Sequence, residues 1–136
     1  MPSNPLFRNG GLMLGNADAI PTIPVKNLDV ARKFYEETLG LERGPTAEPS
    51  VLTFKSGNSH ILVYVSQYAG TNQATAVTWT VDDVDGDVRD LKEKGVAFER
   101  YDMPNAKHEG DVHVFGKLRN AWAKDPDGNI LSIVNK

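Results

Sequence analysis

The chain has no cysteine in its 136 residues, which excludes a disulfide framework, a thiolate nucleophile and any cysteine-held metal. It has no run approaching the roughly 18 consecutive apolar residues of a membrane-spanning helix, so a membrane is not an expected partner. Neither sign of charge dominates: 15 Lys and Arg stand against 18 Asp and Glu, a net charge of −3. The basic residues are scattered rather than gathered in a stripe, so nucleic acid is not an expected partner either. Phosphate cradles are missing, because Gly10, Gly11 and Gly15 precede any strand-like segment and no GxxxxGK[ST] or GxGxxG occurs. There is no GxSxG elbow, and only His60, His108 and His113 could supply an imidazole base.

What is present suits one compact domain. A 40% hydrophobic, 24% charged chain of this length can bury a core without staples. Residues 1–16 carry one cation, Arg8, and a short apolar patch, Leu12 to Leu14; they read as a flexible tail without a signal peptide's apolar core. With no cysteine besides, the expected compartment is the cytoplasm. Residues 17–136 form the expected domain.

Within that domain the chain repeats itself. Ile20-Pro-Thr-Ile-Pro-Val25-Lys-Asn27-Leu28-Asp29 aligns, shifted by 56, with Ala76-Val-Thr-Trp-Thr-Val81-Asp-Asp83-Val84-Asp85. In each copy a period-2 segment ends at a valine, an Asn or Asp offers a helix cap, and apolar spacing turns helical. The first helix is expected over 28–39, with Ala31, Phe34, Tyr35 and Leu39 near one face and Gly40 after its end. The second places Val84, Val88 and Leu91 on one face and ends at Gly95. Strand-like segments follow each: 41–43, 51–55 and 60–66, then 96–101, 118–124 and 129–134. The order β-α-β-β-β thus occurs twice, in modules of about 17–67 and 74–136 joined by a polar linker at 68–75, an α+β architecture.

Several chemical motifs dissolve on inspection. His108-Glu-Gly-Asp-Val-His113 has its histidines five apart where a zinc helix needs four, and Gly110 weakens any helix there, so the segment reads as a loop. The acidic run Asp82 to Asp87 lacks the ligand alternation of a calcium loop and reads as a helix N-terminus. Asp125 and Asp127 belong to a tight turn, Asp125-Pro-Asp-Gly-Asn129, where aspartate bonds local backbone.

Ile23-Pro-Val25-Lys-Asn-Leu28-Asp-Val-Ala-Arg-Lys-Phe34-Tyr35-Glu-Glu-Thr-Leu39-Gly40-Leu41, together with the turn at 125–129 and the internal repeat, resembles the vicinal oxygen chelate superfamily. Glyoxalases, bleomycin-resistance proteins, fosfomycin-resistance enzymes and extradiol dioxygenases belong to that group. The resemblance spans about 20–134 and implies two βαβββ modules curled into a half-barrel cavity. It further implies a homodimer, and in metal-using members a divalent ion held by His, Gln or Glu from the first and last strands of each module. Here those positions fall on Ile20, Ala76, Ser132 and the stretch Leu62 to Tyr64, none of them a usual ligand. No metal or other cofactor is therefore expected.

The remaining expectation is a cavity whose lining follows strand parity. Thr22, His60, Tyr64, Thr78 and Ser132 are expected to face a small-molecule ligand. The long segment 102–117 could cover the mouth, with His113 and Phe115 touching the ligand, and Arg119 could counter an anionic one. The leading reading is a metal-independent small-molecule binder. One rival is an enzyme, a lyase or dioxygenase-like, using an unrecognised metal site at His60, His113 and Glu109 or acid–base chemistry at His60, Tyr64 or His113. Another is an interaction module whose cavity is filled by its own side chains.

Overall fold

Alternation of apolar and polar residues builds the first sheet. Ile23 and Val25 of β1 (Thr22–Val25), Leu52 and Phe54 of β3 (Val51–Ser56), and Ile61 and Val63 of β4 (Ser59–Val65) are buried, while the residues between them are not. The computed structural model describes residues 14–46 and 48–136. Most of the segment read as a tail, residues 1–13, lies outside that set. The short β2 (Glu42–Arg43) completes a four-stranded sheet in the order β1-β4-β3-β2, with β1 and β4 parallel.

The helix α1 begins at Leu28 because Asn27 caps it, its Oδ1 accepting from the N–H groups of Asp29 and Val30 at 2.8 and 3.1 Å. Regular winding holds only for Leu28–Arg32; from Lys33 to Thr38 the helix is π-wound, and the Leu39 N–H donates to the Phe34 carbonyl at 2.9 Å. Apolar spacing predicts a plain α-helix here, since Phe34, Tyr35 and Leu39 fit either winding. Both adjacent aromatics are used. Tyr35 is wholly buried against Phe54, and Phe34 stands edge-on to it with ring centroids 5.1 Å apart.

The second module repeats this plan with an insertion. Its helix α2 (Val84–Glu93) is capped by Asp83, whose Oδ1 accepts from the Gly86 N–H at 3.0 Å. β5 (Thr75–Val81) runs parallel to β10 (Ile130–Asn135), which pairs antiparallel with β9 (Leu118–Lys124). The free edge of β9 is shared: β6 (Phe98–Glu99) pairs at Trp122 and Ala123, and β8 (Val112–Phe115) at 118–120. β8 and β7 (Lys107–Glu109) form a hairpin around Gly110-Asp111. Part of the segment expected as a loop is thus sheet, because Val112 and Val114 pack beneath α2 and leave His113 and Phe115 on the other face. The strand expected over 96–101 shrinks to Phe98–Glu99.

Two apolar clusters result. One lies between α1 and the first sheet, and the other gathers Val84, Val88, Val112, Ala121 and Ile133 under α2. Val77 and Leu131, on the helix-bearing face of the second sheet, join the first cluster. The two helix-bearing faces therefore meet each other.

The turn at 125–129 locks that meeting. Asp125, only 5% exposed, accepts from the Tyr35 hydroxyl at 2.8 Å, from the Asp127 and Asn129 backbone N–H groups at 2.9 and 2.8 Å, and from Asn129 Nδ2 at 2.8 Å. Asn129 Nδ2 also donates to the Pro24 carbonyl of β1 at 2.8 Å, and the Lys26 N–H donates to Asp127 Oδ2 at 3.3 Å. The linker is drawn in as well: Ala69 is buried, and the Gly70 N–H donates to Asn129 Oδ1. Gly70 has φ +74°, and a Cβ there would sit 1.8 Å from the Asp127 carbonyl oxygen, so only glycine fits.

Removing the Tyr35 hydroxyl leaves Asp125 buried with one donor fewer. Tyr35→Phe is expected to lower the unfolding free energy by about 1.5–3 kcal/mol, the range for a hydrogen bond to a charged group. Urea denaturation measures it, and a loss below about 0.5 kcal/mol, the range of neutral surface changes, would contradict the locking role.

Candidate functional site

With the apolar sides of both sheets turned toward helices, their opposite sides carry the polar residues. In the first sheet Thr22 stands beside Leu62, Pro24 beside Tyr64, and His60 beside Lys55. Thr22, His60 and Tyr64 therefore share the side away from α1. Thr22 and His60 are exposed and Tyr64 is half-buried; the Thr22 hydroxyl donates to the Ile20 carbonyl at 3.0 Å.

In the second sheet Ser132 lies between Thr78 of β5 and Trp122 of β9, and His113 lies beside Asn120. Phe115, two residues on from His113, completes a set of four candidates on the side away from α2. Asn120 ties this side together, its Nδ2 donating at 2.8 Å to both Ser132 Oγ and the Ile133 carbonyl. Arg119 falls on the helix-bearing side instead. Its guanidinium binds Asp85 of α2 through two nitrogens, at 2.8 and 2.9 Å, and Glu109 at 2.8 Å.

The candidates thus form two sets on two sheets, Thr22, His60 and Tyr64 on one and Thr78, His113, Phe115 and Ser132 on the other. Within the single chain it is the opposite, apolar sides that meet.

His113 is the most enclosed candidate. Its ring is fully buried, with Trp122 and His108 edge-on at 4.8 and 4.7 Å between centroids. Tyr101 lies at 6.0 Å. Nε2 accepts from the Tyr101 backbone N–H at 2.9 Å, so in the neutral ring the proton sits on Nδ1, which has no partner among the described residues. Burial pushes the His113 pKa down, and the nearby His108 adds to this. Asn120 and Tyr101 carry no signal in the sequence, and the sequence leaves the face of Trp122 open. In the structure Trp122 takes the side opposite the buried Ala121 and Ala123.

Of the positions at which the resemblance implies metal ligands, Ile20, Ala76, Leu62 and Val63 offer no donor side chain, Tyr64 offers a phenol but no carboxylate or imidazole, and Ser132 is buried with its hydroxyl already bonded to Asn120. No three His, Asp or Glu groups converge among the described residues, so His60, His113 and Glu109 do not form a cluster.

Comparison with known proteins agrees with this architecture. A family model described as Glyoxalase/Bleomycin resistance protein/Dioxygenase superfamily matches residues 19–133. No curated protein matches. Among solved structures, the glyoxalase family protein from Enterococcus faecalis is similar with a TM-score of 0.68 and 19% identity, covering 90% of this chain and 99% of its own. Lactoylglutathione lyase from Agrobacterium tumefaciens gives 0.65 at 20% identity, over 88% and 93%. TnmS3, an antibiotic binding protein from Streptomyces sp. CB03234, gives 0.58 at 22% identity, over 88% and 97%.

The depressed His113 pKa has a consequence for stability. Below the ordinary histidine value of about 6.5, the unfolded chain binds a proton that the folded chain refuses until its own lower pKa is reached. Stability from this group is full above that value and is lost as the pH falls through the window. Urea unfolding of the wild type between pH 7.5 and 5.5 is expected to show a steeper decline than that of His113→Gln. Equal slopes would mean that His113 titrates as freely in the folded chain as in the unfolded one.

Proposed function

The chain belongs to the Glyoxalase/Bleomycin resistance protein/Dioxygenase superfamily, and we propose that within it this protein binds a small organic molecule, without a metal, on the sheet faces opposite its helices. One observation carries the reading. The positions that would hold an ion are Ile20, Ala76, the stretch from Leu62 to Tyr64, and a Ser132 already engaged by Asn120, while the same faces present hydroxyl and aromatic groups. Thr22, Tyr64 and Thr78 offer hydrogen-bonding hydroxyls, Trp122 and Phe115 offer apolar area, and His113 Nδ1–H is a donor without a partner among the described residues. An antibiotic binding protein among the similar structures is consistent with such a use of the fold, which at 22% identity is all the two share on present grounds.

The site needs both sets of candidates around one ligand, and the chain holds them on separate sheets whose apolar sides meet. A homodimer resolves this. In the proposed assembly the face bearing Thr22, His60 and Tyr64 from one copy closes against the face bearing Thr78, His113, Phe115 and Ser132 of the other. Arg119, on the helix-bearing side and held there by Asp85 and Glu109, takes no part in the proposed site. The proposed setting is the cytoplasm, in keeping with the lack of cysteine, and no described helix is long and apolar enough to cross a membrane.

Thermal-shift screening of aromatic and amphipathic compounds tests the binding, and sedimentation tests the assembly. A binder is expected to raise Tm with a chelator present, at one ligand per chain, on a particle of two chains. Thr78→Trp, which fills the proposed site, is expected to abolish the shift. Turnover of a glyoxalase or catechol substrate at enzymatic rates, or a shift that disappears with the chelator, would overturn the reading.

A further inference from the structure

A cavity of about 260 Å3 lies at the joint between the modules, on the apolar side rather than on the faces assigned to the ligand above. Phe34 and Leu39 line it from the first module, Trp79 and Leu131 from the second sheet, and Leu91 from α2. The Trp79 indole is fixed by its Nε1–H, which donates to Ser56 Oγ at 2.8 Å. Among the described residues, the charged ones in the lining are Asp87 and Asp90, with no lysine or arginine beside them. Asp90 has an exposed partner in Arg89 at 3.4 Å, but Asp87 makes no ion pair among the described residues.

These features select a ligand by charge. Partial burial, followed by the charges of Asp83, Asp90 and Asp82, raises the Asp87 pKa, so its carboxylate is short of both water and counter-charge. A cation in the cavity relieves that deficit, whereas an anion meets two carboxylates. The side chains of Phe34 and Trp79 add apolar area for the body attached to the cation. The volume is below the roughly 300–1,000 Å3 of drug-sized sites, which limits the body to about one ring with a short chain.

We propose that this inter-module cavity is a second ligand site, specific for a small aromatic or alkyl ammonium ion whose apolar body lies against Trp79 and Phe34 and whose cation meets Asp87. It is independent of the binding proposed for the opposite faces, since no residue is shared between the two.

The chain has two tryptophans, so Trp122→Phe leaves Trp79 as the sole reporter. In that background, 2-phenylethylamine at pH 7 is expected to change the Trp79 emission saturably, with 2-phenylethanol weaker and 3-phenylpropionate weakest. Asp87→Asn is expected to weaken the amine about fivefold, the scale of a half-exposed ion pair, and to leave the alcohol unchanged. Should Trp122→Phe fail to fold, the two indole N–H resonances of the labelled wild-type chain give the same answer, with Trp79 shifting and Trp122 still. No saturable response up to about 10 mM, equal affinity for all three probes, or an amine affinity untouched by Asp87→Asn would each overturn the proposal. Thr78→Phe separates the two sites: it crowds the opposite face without adding a tryptophan and is expected to leave the Trp79 response to the amine intact.

Discussion

A single buried carboxylate holds the two halves of this molecule together. Taking Asp125 out of water costs several kcal/mol, and the cost is offset only because four donors converge on it, from Tyr35 in α1, from the turn backbone and from Asn129. Those donors come from both modules. The same turn holds β1 through the Pro24 carbonyl and holds the linker through Gly70, so the relative placement of the two sheets follows from it. Burial of Ile23, Val25, Phe54, Ile61 and Val63 supplies more free energy, about 1.5–3 kcal/mol for each side chain, but apolar contact is not directional and would tolerate a slide. The hydrogen-bonded turn would not.

Much of this was legible in the sequence, and the reasons can be located. The 56-residue repeat put β1 and β5, the caps at Asn27 and Asp83, and both helices where the structure has them, because each signal is local and duplicated. The turn at Asp125 to Asn129 was legible because its signal is local, whereas the bond from Tyr35 to Asp125, 90 residues away, was not. The hairpin at 107–115 escaped because its alternation is only four residues long in β8 and is flanked by Glu109, Gly110 and Asp111, which signal a loop. The π-wound end of α1 escaped because an apolar stripe does not distinguish the two windings over so short a span.

Site residues were legible as to side but not as to company. Parity put Thr22, His60 and Tyr64 on one face and Thr78 and Ser132 on another, but parity says nothing about which faces meet. That depends on contacts between distant residues, such as Trp79 with Ser56 and Val77 with the core under α1. Arg119 shows the same limit: its partners Asp85 and Glu109 lie 34 and 10 residues away, and no local pattern announces them.

The proposed function rests on one feature of the sheet faces away from the helices: the positions Ile20, Ala76, Leu62 and Ser132 carry no carboxylate or imidazole, while hydroxyl and aromatic side chains stand beside them. In that proposal the hydroxyl and indole groups hold an organic molecule rather than break one. The most direct test is the metal content of the purified chain after incubation with zinc, nickel, manganese and iron in turn, followed by desalting. The account predicts well under one ion per chain for every metal. One tightly held ion per chain would contradict it, and would show that donors outside the family's positions have rebuilt the site.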